Sequence, residues 1–315
     1  MESPNLISYN TTISACAKGG EWQCALGLFQ QLHVSKLQPD VITFSAAMTS
    51  CEKASQWQES LKIFEAMQKS VAPNVISCGA VISSLEKGSQ WQQAVRILDR
   101  MPTLRLTANN TIYNAVISAC EKGREWRPAL SFLQAVKDHD LQPDAISFSA
   151  SISSCEKGKQ WRQALHIFED MLMSRVQKHV ISYNALISAC ENCRRWQHAV
   201  AIFDEITTAS LQLTSISFNS VMSACEKASE WRHALSFFHK MPCATVSRDL
   251  ISFHAAVSSF QKASQWQQAL RWAEKAEKIL APRSTCGDVV KKTPQRMVSS
   301  AVHVRDHSRN GKSQE

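Results

Sequence analysis

Eight of the nine tryptophans fall at Trp22, Trp57, Trp91, Trp126, Trp161, Trp196, Trp231 and Trp266, with successive gaps of 35, 34, 35, 35, 35, 35 and 35 residues. A period in this range marks a chain of repeated supersecondary units. No such unit can bury its apolar face alone, so neighbours must stack. The words around the tryptophans repeat as well. LISYNTTISACAKGGEWQCALGLF stands near the start, and ISYNALISACENCRRWQHAVAIF returns at 181–203. Aligned on these words, a stub at 1–5 precedes units 6–40, 41–74, 75–109, 110–144, 145–179, 180–214, 215–249 and 250–284. The second unit is one residue short just before VAPN. The last loses its LxIFxxM pattern to LRWAEKAEKI.

Each unit reads as two amphipathic helices. Tyr9, Thr12, Ile13 and Cys16 stand at i, i+3, i+4 and i+7, and Trp22, Ala25, Leu26 and Phe29 repeat that spacing. This is the apolar stripe of a helix and not the alternation of a strand. The joining words, such as AKGGE and EKGSQ, are short, polar and often carry glycine, which predicts a tight turn. The fold class expected is all-α, an α-solenoid of stacked helix–turn–helix repeats. Only nine glycines and nine prolines in 315 residues agree with helix over a turn-rich β fold. A small residue precedes the leucine or valine of the second helix in most units: Ala25, Ala94, Ala129, Ala164, Ala199, Ala234 and Ala269. Two helices that cross closely need such a side chain there. The tryptophan heading the second helix reads as a wedge in the core or between units, with base stacking as the other reading.

The hydrophobic fraction of 44% supports a large core, and the formal net charge of +8 tilts weakly toward a polyanionic partner. No run of 18 apolar residues exists, so no membrane span is expected. Eleven cysteines in no short framework do not suggest a secreted disulfide protein. Cys16, Cys51, Cys120, Cys155, Cys190 and Cys225 share one repeat position and are expected to be buried, inert thiols. MESPNLISYN is neither a signal nor a transit peptide, and the first unit follows at once. The expectation is that the natural N-terminus, with any targeting segment, is missing.

Three other columns carry polar chemistry. The fifth residue of each unit is Asn10, Ser45, Gly79, Asn114, Ser149, Asn184, Asn219 or His254. These are mediocre or poor helix formers, so packing alone would not select them. An amide or hydroxyl here could bond a base edge, or be a plain exposed polar group. The last residue is Asp40, Asn74, Asn109, Asp144, His179, Thr214, Asp249 or Ser284. Asp, Asn, Thr and Ser in that place are natural caps for the next helix, a role compatible with reaching a base. The first unit, opening at Leu6, is expected to start without a cap. Near the end of the first helix stand Lys18, Lys53, Lys87, Lys122, Lys157, Lys227 and Lys262, with Asn192 breaking the series. One cation per unit along one edge suits phosphates. It would equally complement a helix C-terminus. Glu52, Glu86, Glu121, Glu156, Glu191 and Glu226, one residue earlier, dilute the positive field.

The unit V/L-I-S-Y-N-x-x-I-S-A-C-x-K-G … A-L-x-x-F-x-x-M … Q-P-D resembles the pentatricopeptide repeat over residues 6–284. The tetratricopeptide opening W-x-x-L-G-x-x-Y is absent. The departure is the tryptophan at the second-helix start, where the family usually has an aliphatic residue. The resemblance implies a right-handed superhelix that binds single-stranded RNA, usually in mitochondria or chloroplasts, with one base per repeat. It implies that the fifth and last residues act as a base-selecting pair. It also implies that the second residues, Ile7, Ile42, Ile76, Ile146, Ile181, Ile216 and Ile251, sandwich the bases, with Thr111 as the exception; ordinary packing between units is the other reading. Carried over pair by pair, the family's rule gives uracil for Asn10–Asp40, Asn114–Asp144 and Asn219–Asp249, adenine for Ser45–Asn74 and a pyrimidine for Asn184–Thr214. Gly79–Asn109, Ser149–His179 and His254–Ser284 are off the rule. The expected RNA is 5′-U-A-n-U-n-Y-U-n-3′.

Enzyme signatures are missing from the sequence. There is no H-x-E followed by P-C-x-x-C, as a zinc deaminase requires, no phosphate loop and no nucleophile elbow. The one C-x-x-C, Cys190 to Cys193, includes the repeat cysteine and reads as core. No catalytic residue, metal or cofactor is therefore expected. Residues 285–315 leave the pattern and read as a polar, mildly basic, disordered extension. Two function classes stand: an RNA-binding scaffold acting in RNA processing, stability, editing or translation, with accessory proteins as further partners, or a platform for proteins alone.

Overall fold

A computed structural model describes residues 5–265 except 36, 178, 210 and 264, and leaves out the side chain of residue 33. The expectations for Trp266, Ala269, Ser284, the second helix of the last unit and the tail at 285–315 lie outside the described residues. Among those described there are fifteen α-helices and no strand. The first helices of successive units are α1 (Leu6–Gly19), α3 (Val41–Lys53), α5 (Val75–Lys87), α7 (Asn110–Lys122), α9 (Ala145–Lys157), α11 (Val180–Asn192), α13 (Ser215–Lys227) and α15 (Leu250–Lys262). The second helices all open on the periodic tryptophan: α2 (Trp22–Val34), α4 (Trp57–Ser70), α6 (Trp91–Arg100), α8 (Trp126–Asp138), α10 (Trp161–Met173), α12 (Trp196–Thr208) and α14 (Trp231–Cys243). Helix α6 is short because Pro102, lacking an N–H, opens a 3-10 turn at Pro102–Leu104.

The helices form an α-solenoid of two layers. Each first helix packs on the first helix of the unit before and the unit after. Each second helix packs on its own first helix and on the first helix of the next unit. The column of small residues lies where helices cross: Ala25, Ala94, Ala129, Ala164, Ala199 and Ala234 are all 0% exposed. Ser60 takes that place in the second unit and is fully buried too. Phenylalanines of the second helices meet the Phe or Tyr at the fourth position of the next unit edge to face. Phe29–Phe44, Phe168–Tyr183, Phe203–Phe218 and Phe238–Phe253 have centroids 5.2, 4.7, 4.9 and 4.8 Å apart, a favoured geometry for aromatic pairs. Helix α1 buries only Ile13 and Ala17, because among the described residues no first helix packs on its outer side. Thr12 of the predicted stripe is accordingly exposed.

Among the described residues the periodic tryptophans are half-buried, and five of them wedge against the following unit. Trp57, Trp91 and Trp126 lie over Gly88, Gly123 and Gly158 of the following unit, so closely that a Cβ on those glycines would come 2.3, 2.3 and 2.5 Å from the indole Cδ1. Trp161 packs instead on His198, with centroids 4.8 Å apart, and Trp196 on His233 at 4.6 Å. These contacts make the tryptophan an inter-unit element. The turn glycines therefore differ from their expected role. The left-handed residue of these turns is the next one along, Ser55, Ser89, Arg124, Lys159, Arg194 or Ser229, with φ between 55 and 63°. Of the described glycines, only Gly20 takes that conformation, at φ 80°. Gly88, Gly123 and Gly158 make room for an indole.

The repeat cysteines Cys51, Cys120, Cys155, Cys190 and Cys225 are buried, and Cys16 is half-buried. Burial pushes the thiols of Cys51 and Cys155 up to about 11 and those of Cys120, Cys190 and Cys225 to about 12. Cys193 donates its thiol to the Lys159 carbonyl at 3.2 Å. Among the described residues no group of three or more His, Cys, Asp or Glu could hold a metal ion, and no helix is long and apolar enough to cross a membrane.

Candidate nucleic-acid interface

The last residue of most units caps the next helix, and three of these residues also bond the fifth residue of their own unit. Asp40, Asn74, Asn109, Asp144, Thr214 and Asp249 each accept a backbone N–H in the first turn of the next helix. The expected uncapped start of the first unit is a correction: Asn5 Oδ1 accepts the Ser8 N–H at 2.9 Å and caps α1. His179 is the exception among the caps, being exposed and making no side-chain cap bond.

Where the last residue is Asp and the fifth is Asn, the two side chains are bonded to each other. Asn10 Nδ2 donates to Asp40 Oδ1 at 3.2 Å, Asn114 Nδ2 to Asp144 Oδ2 at 3.0 Å, and Asn219 Nδ2 to Asp249 Oδ2 at 3.1 Å. All three pairs have the same polarity, since an ionised carboxylate can only accept. Burial raises the Asp40 carboxyl, but bonds from the Thr43 backbone and hydroxyl, the Asn10 amide and the Ile42 backbone outweigh it and hold the group below its ordinary value. The fifth residues are half-buried or, for Asn114, buried at 9% exposure; His254 alone is exposed. Asn184 and Thr214 share no bond, and Asn184 Oδ1 is buried without a partner, as are Ser45 Oγ and Asn219 Oδ1. In the off-rule units, Gly79 offers no side chain, and Ser149 shares a hydrogen bond with Ser182 of the next unit at 2.8 Å.

One helical turn before each fifth residue, and so on the same face, sits the second residue. Ile7, Ile42, Ile76, Ile146, Ile181, Ile216 and Ile251 are 61–71% exposed. Scattered exposed aliphatics are ordinary on a protein surface. A row of seven at one repeat position, six of them beside a polar fifth residue, is an ordered apolar surface. Packing between units, the other reading of these residues, does not use the greater part of their surface. Thr111 is exposed in the same place.

The lysines stand at the other end of the first helices, and most of them face a neighbour. Lys87, Lys122, Lys157, Lys227 and Lys262 pair with Glu52, Glu86, Glu121, Glu191 and Glu226 of the preceding unit at 3.2, 3.0, 2.9, 2.8 and 2.9 Å. The glutamates thus do more than dilute a field: they are the partners in a ladder between units. Exposed pairs of this kind contribute about 0–1 kcal/mol each. Among the described residues Lys18 and Lys53 have no such partner; for Lys53, Ala17 fills the glutamate place in the unit before. For Glu156, the lysine place of the next unit is taken by Asn192. The burial of Glu156, opposed by Lys157 and assisted by Glu191 and Glu121, lifts its carboxyl above the ordinary value.

A stack of two-helix units of period 35, with paired polar groups at the first-helix starts, defines a class of helical repeat protein. Comparison with known families agrees along the array. The PPR repeat family matches residues 4–53, the PPR repeat 42–70 and 111–141, the pentatricopeptide repeat domain 62–124, and the pentacotripeptide-repeat region of PRORP 137–280. The chain belongs to the pentatricopeptide repeat family. No curated protein matches the sequence. Among solved structures, that of the pentatricopeptide repeat protein PPR10 in complex with an 18-nt psaJ RNA element is similar, with 18% identity and a TM-score of 0.76 over 88% of this chain and 40% of that one. At that identity the likeness is one of fold, and this chain spans 40% of the PPR10 chain. Yeast Rmd9p in complex with a 16-nt target RNA shares 12% identity, covering 88% of this chain and 58% of that one, with a TM-score of 0.40. The PPR domain of Arabidopsis thaliana PRORP1 in complex with tRNA shares 11%, covering 58% and 93%, with a TM-score of 0.48.

Proposed function

We propose that this chain binds single-stranded RNA along its first-helix layer, one base per unit, and acts by binding and not by catalysis. The observation that carries this reading is the row of seven exposed isoleucines, six of them one turn from a polar fifth residue. An aliphatic wall can cover a base face, while the amide–carboxylate pair addresses the base edge. Single-stranded RNA offers both, since its bases are unstacked and their edges free. The RNA held by PPR10, a protein of this fold, supports the reading. The expected ligand is 5′-U-A-n-U-n-Y-U-n-3′, and the expected place of action is a mitochondrion or chloroplast, in RNA processing, stability, editing or translation.

The lysines serve phosphates by exchange: an incoming phosphate takes the lysine that the neighbouring glutamate releases. Each phosphate so neutralised gives a slope of about −0.7 in log affinity against log salt. A gel shift with 5′-UAAUAUUA-3′ and a scrambled RNA of the same composition tests the function. Tight binding of the first and weak binding of the second supports it, as does enrichment of U at the first, fourth and seventh positions from a random pool. The ion-pair ladder favours a second reading, a platform for proteins, because it occupies five cations with protein partners. Equal failure of both RNAs to bind would favour that platform.

A further inference from the structure

The base-selecting pair has a third side chain against it, contributed by the following unit. Thr43 Oγ1 lies 2.6 Å from Asn10 Oδ1, the Ser147 hydroxyl donates to Asn114 Oδ1, and Ser182 bonds Ser149. Each of these is the third residue of its unit, reaching back to the fifth residue of the unit before. The residue types follow the same logic along the array. Six of the first seven units have Asn or Ser at the fifth position, and each is followed by Ser or Thr at the next third position. After Gly79, which has nothing to hold, comes Ile112, whose Cγ1 would lie 3.9 Å from an added Cβ.

We propose that Thr43, Ser147 and Ser182 are positioning residues that set the orientation of the reading side chains in units one, four and five. The inference rests on the base-reading function above. A free asparagine amide can turn over and present either its C=O or its NH2 in a given direction. In unit four, Asn114 cannot do so without loss. Its Oδ1 accepts from Ser147 and its Nδ2 donates to Asp144, and turning over would set oxygen against carboxylate. One N–H and one lone pair remain free, in fixed directions. A base edge carrying a carbonyl opposite that N–H is favoured over one carrying an amino group, which is the difference between uracil and cytosine. Elsewhere the same hydroxyl points away: Ser77 and Ser252 donate to the cap carbonyls of Asn74 and Asp249.

Ser77 supplies the control, because its hydroxyl completes a capping box without touching the reader Ser45. The experiment measures binding of the full chain to 5′-UAAUAUUA-3′ and to the same RNA with C at the fourth base, for wild type, Ser147→Ala and Ser147→Thr. Alongside, Ser77→Ala is compared on RNAs that differ at the second base, and the thermal midpoint of every variant is recorded. Ser147→Ala is expected to cut the U-over-C ratio roughly three- to tenfold, the worth of one hydrogen bond, and Ser147→Thr to keep it. Both alanine variants lower the midpoint, because both lose a box, while Ser77→Ala leaves its base ratio unchanged. A wild-type preference for U that survives Ser147→Ala overturns the inference and leaves the base-reading function standing. A wild type indifferent to the fourth base overturns both.

Discussion

Ile146 and Ile181 offer a substitution whose effects on stability and on binding have opposite expectations. Ile146 is 61% exposed and Ile181 71% exposed, so truncation to alanine opens no cavity in the core. A buried isoleucine would lose about 2–5 kcal/mol on that change. Here the shift should stay within about 0.5 kcal/mol, and alanine's better helix propensity pulls it toward a gain. Binding moves the other way. Full burial of such a side chain is worth about 1.5–3 kcal/mol, so the 61% still open at Ile146 represents roughly 1–2 kcal/mol if a base covers it. Alanine retains part of that contact, leaving a loss of about 1 kcal/mol, or about fivefold in Kd. In the proposed reading the two residues cover the same base from units five and six, so the double variant should deviate from additivity. Fluorescence anisotropy on a labelled 5′-UAAUAUUA-3′ reads the affinity, and a urea midpoint reads the stability. Destabilisation beyond about 2 kcal/mol with unchanged affinity would assign these residues to packing and remove the observation on which the proposed function rests.

The indole wedge makes two equivalent glycines respond differently. Gly19→Ala meets nothing within 4 Å and should raise stability by about 0.4–1 kcal/mol. Gly123→Ala places its Cβ 2.3 Å from Trp91 Cδ1 and should cost about 1–3 kcal/mol; equal gains in urea midpoint at both sites would refute the wedge. Thiol labelling under native conditions should find Cys24 and Cys243, which are exposed, and spare Cys120 and Cys225, which are buried with thiols raised to about 12, until the chain unfolds. Asp40 has its carboxyl held low in the folded state, so its contribution is present above the ordinary carboxylate range and is lost as pH falls through the folded value. Acid titration of Asp40→Asn, followed by circular dichroism, should lack that part of the wild-type decline.

The regular parts of this fold were legible because the rules behind them act within one unit. The i, i+3, i+4, i+7 stripes and the tryptophan column place helices, and the cap residues place their starts. Contacts that cross between units were harder to read. Gly88 and Gly123 look like turn glycines by local rules, yet the left-handed residues are Ser89 and Arg124, and the glycines answer to an indole some 30 positions earlier. The glutamate beside each lysine was visible but its partner was not, because Glu86 meets Lys122 of the next unit and not its own neighbour Lys87. The hydroxyls of Thr43, Ser77, Ser147, Ser217 and Ser252 complete capping boxes within their own units. The contact of Thr43, Ser147 and Ser182 with the fifth residue of the unit before becomes apparent only when the helices are stacked. Asn5 caps α1 from outside the repeating word, where the repeat pattern carries no signal for it.

The ladder along the first-helix ends has a consequence for how such a chain can change length. A unit carrying both the glutamate and the lysine brings its own half of two bonds, one backward and one forward. Duplicating or deleting a whole unit of that kind closes the ladder again with no charge left over. Units two, three, four, five and seven carry both residues, and in units three, four and seven both bonds are made, whereas unit six, with Glu191 but Asn192, lacks the lysine. A unit spliced in after unit five with a lysine at the Asn192 position would neutralise Glu156, whereas a copy of unit six would carry the gap with it.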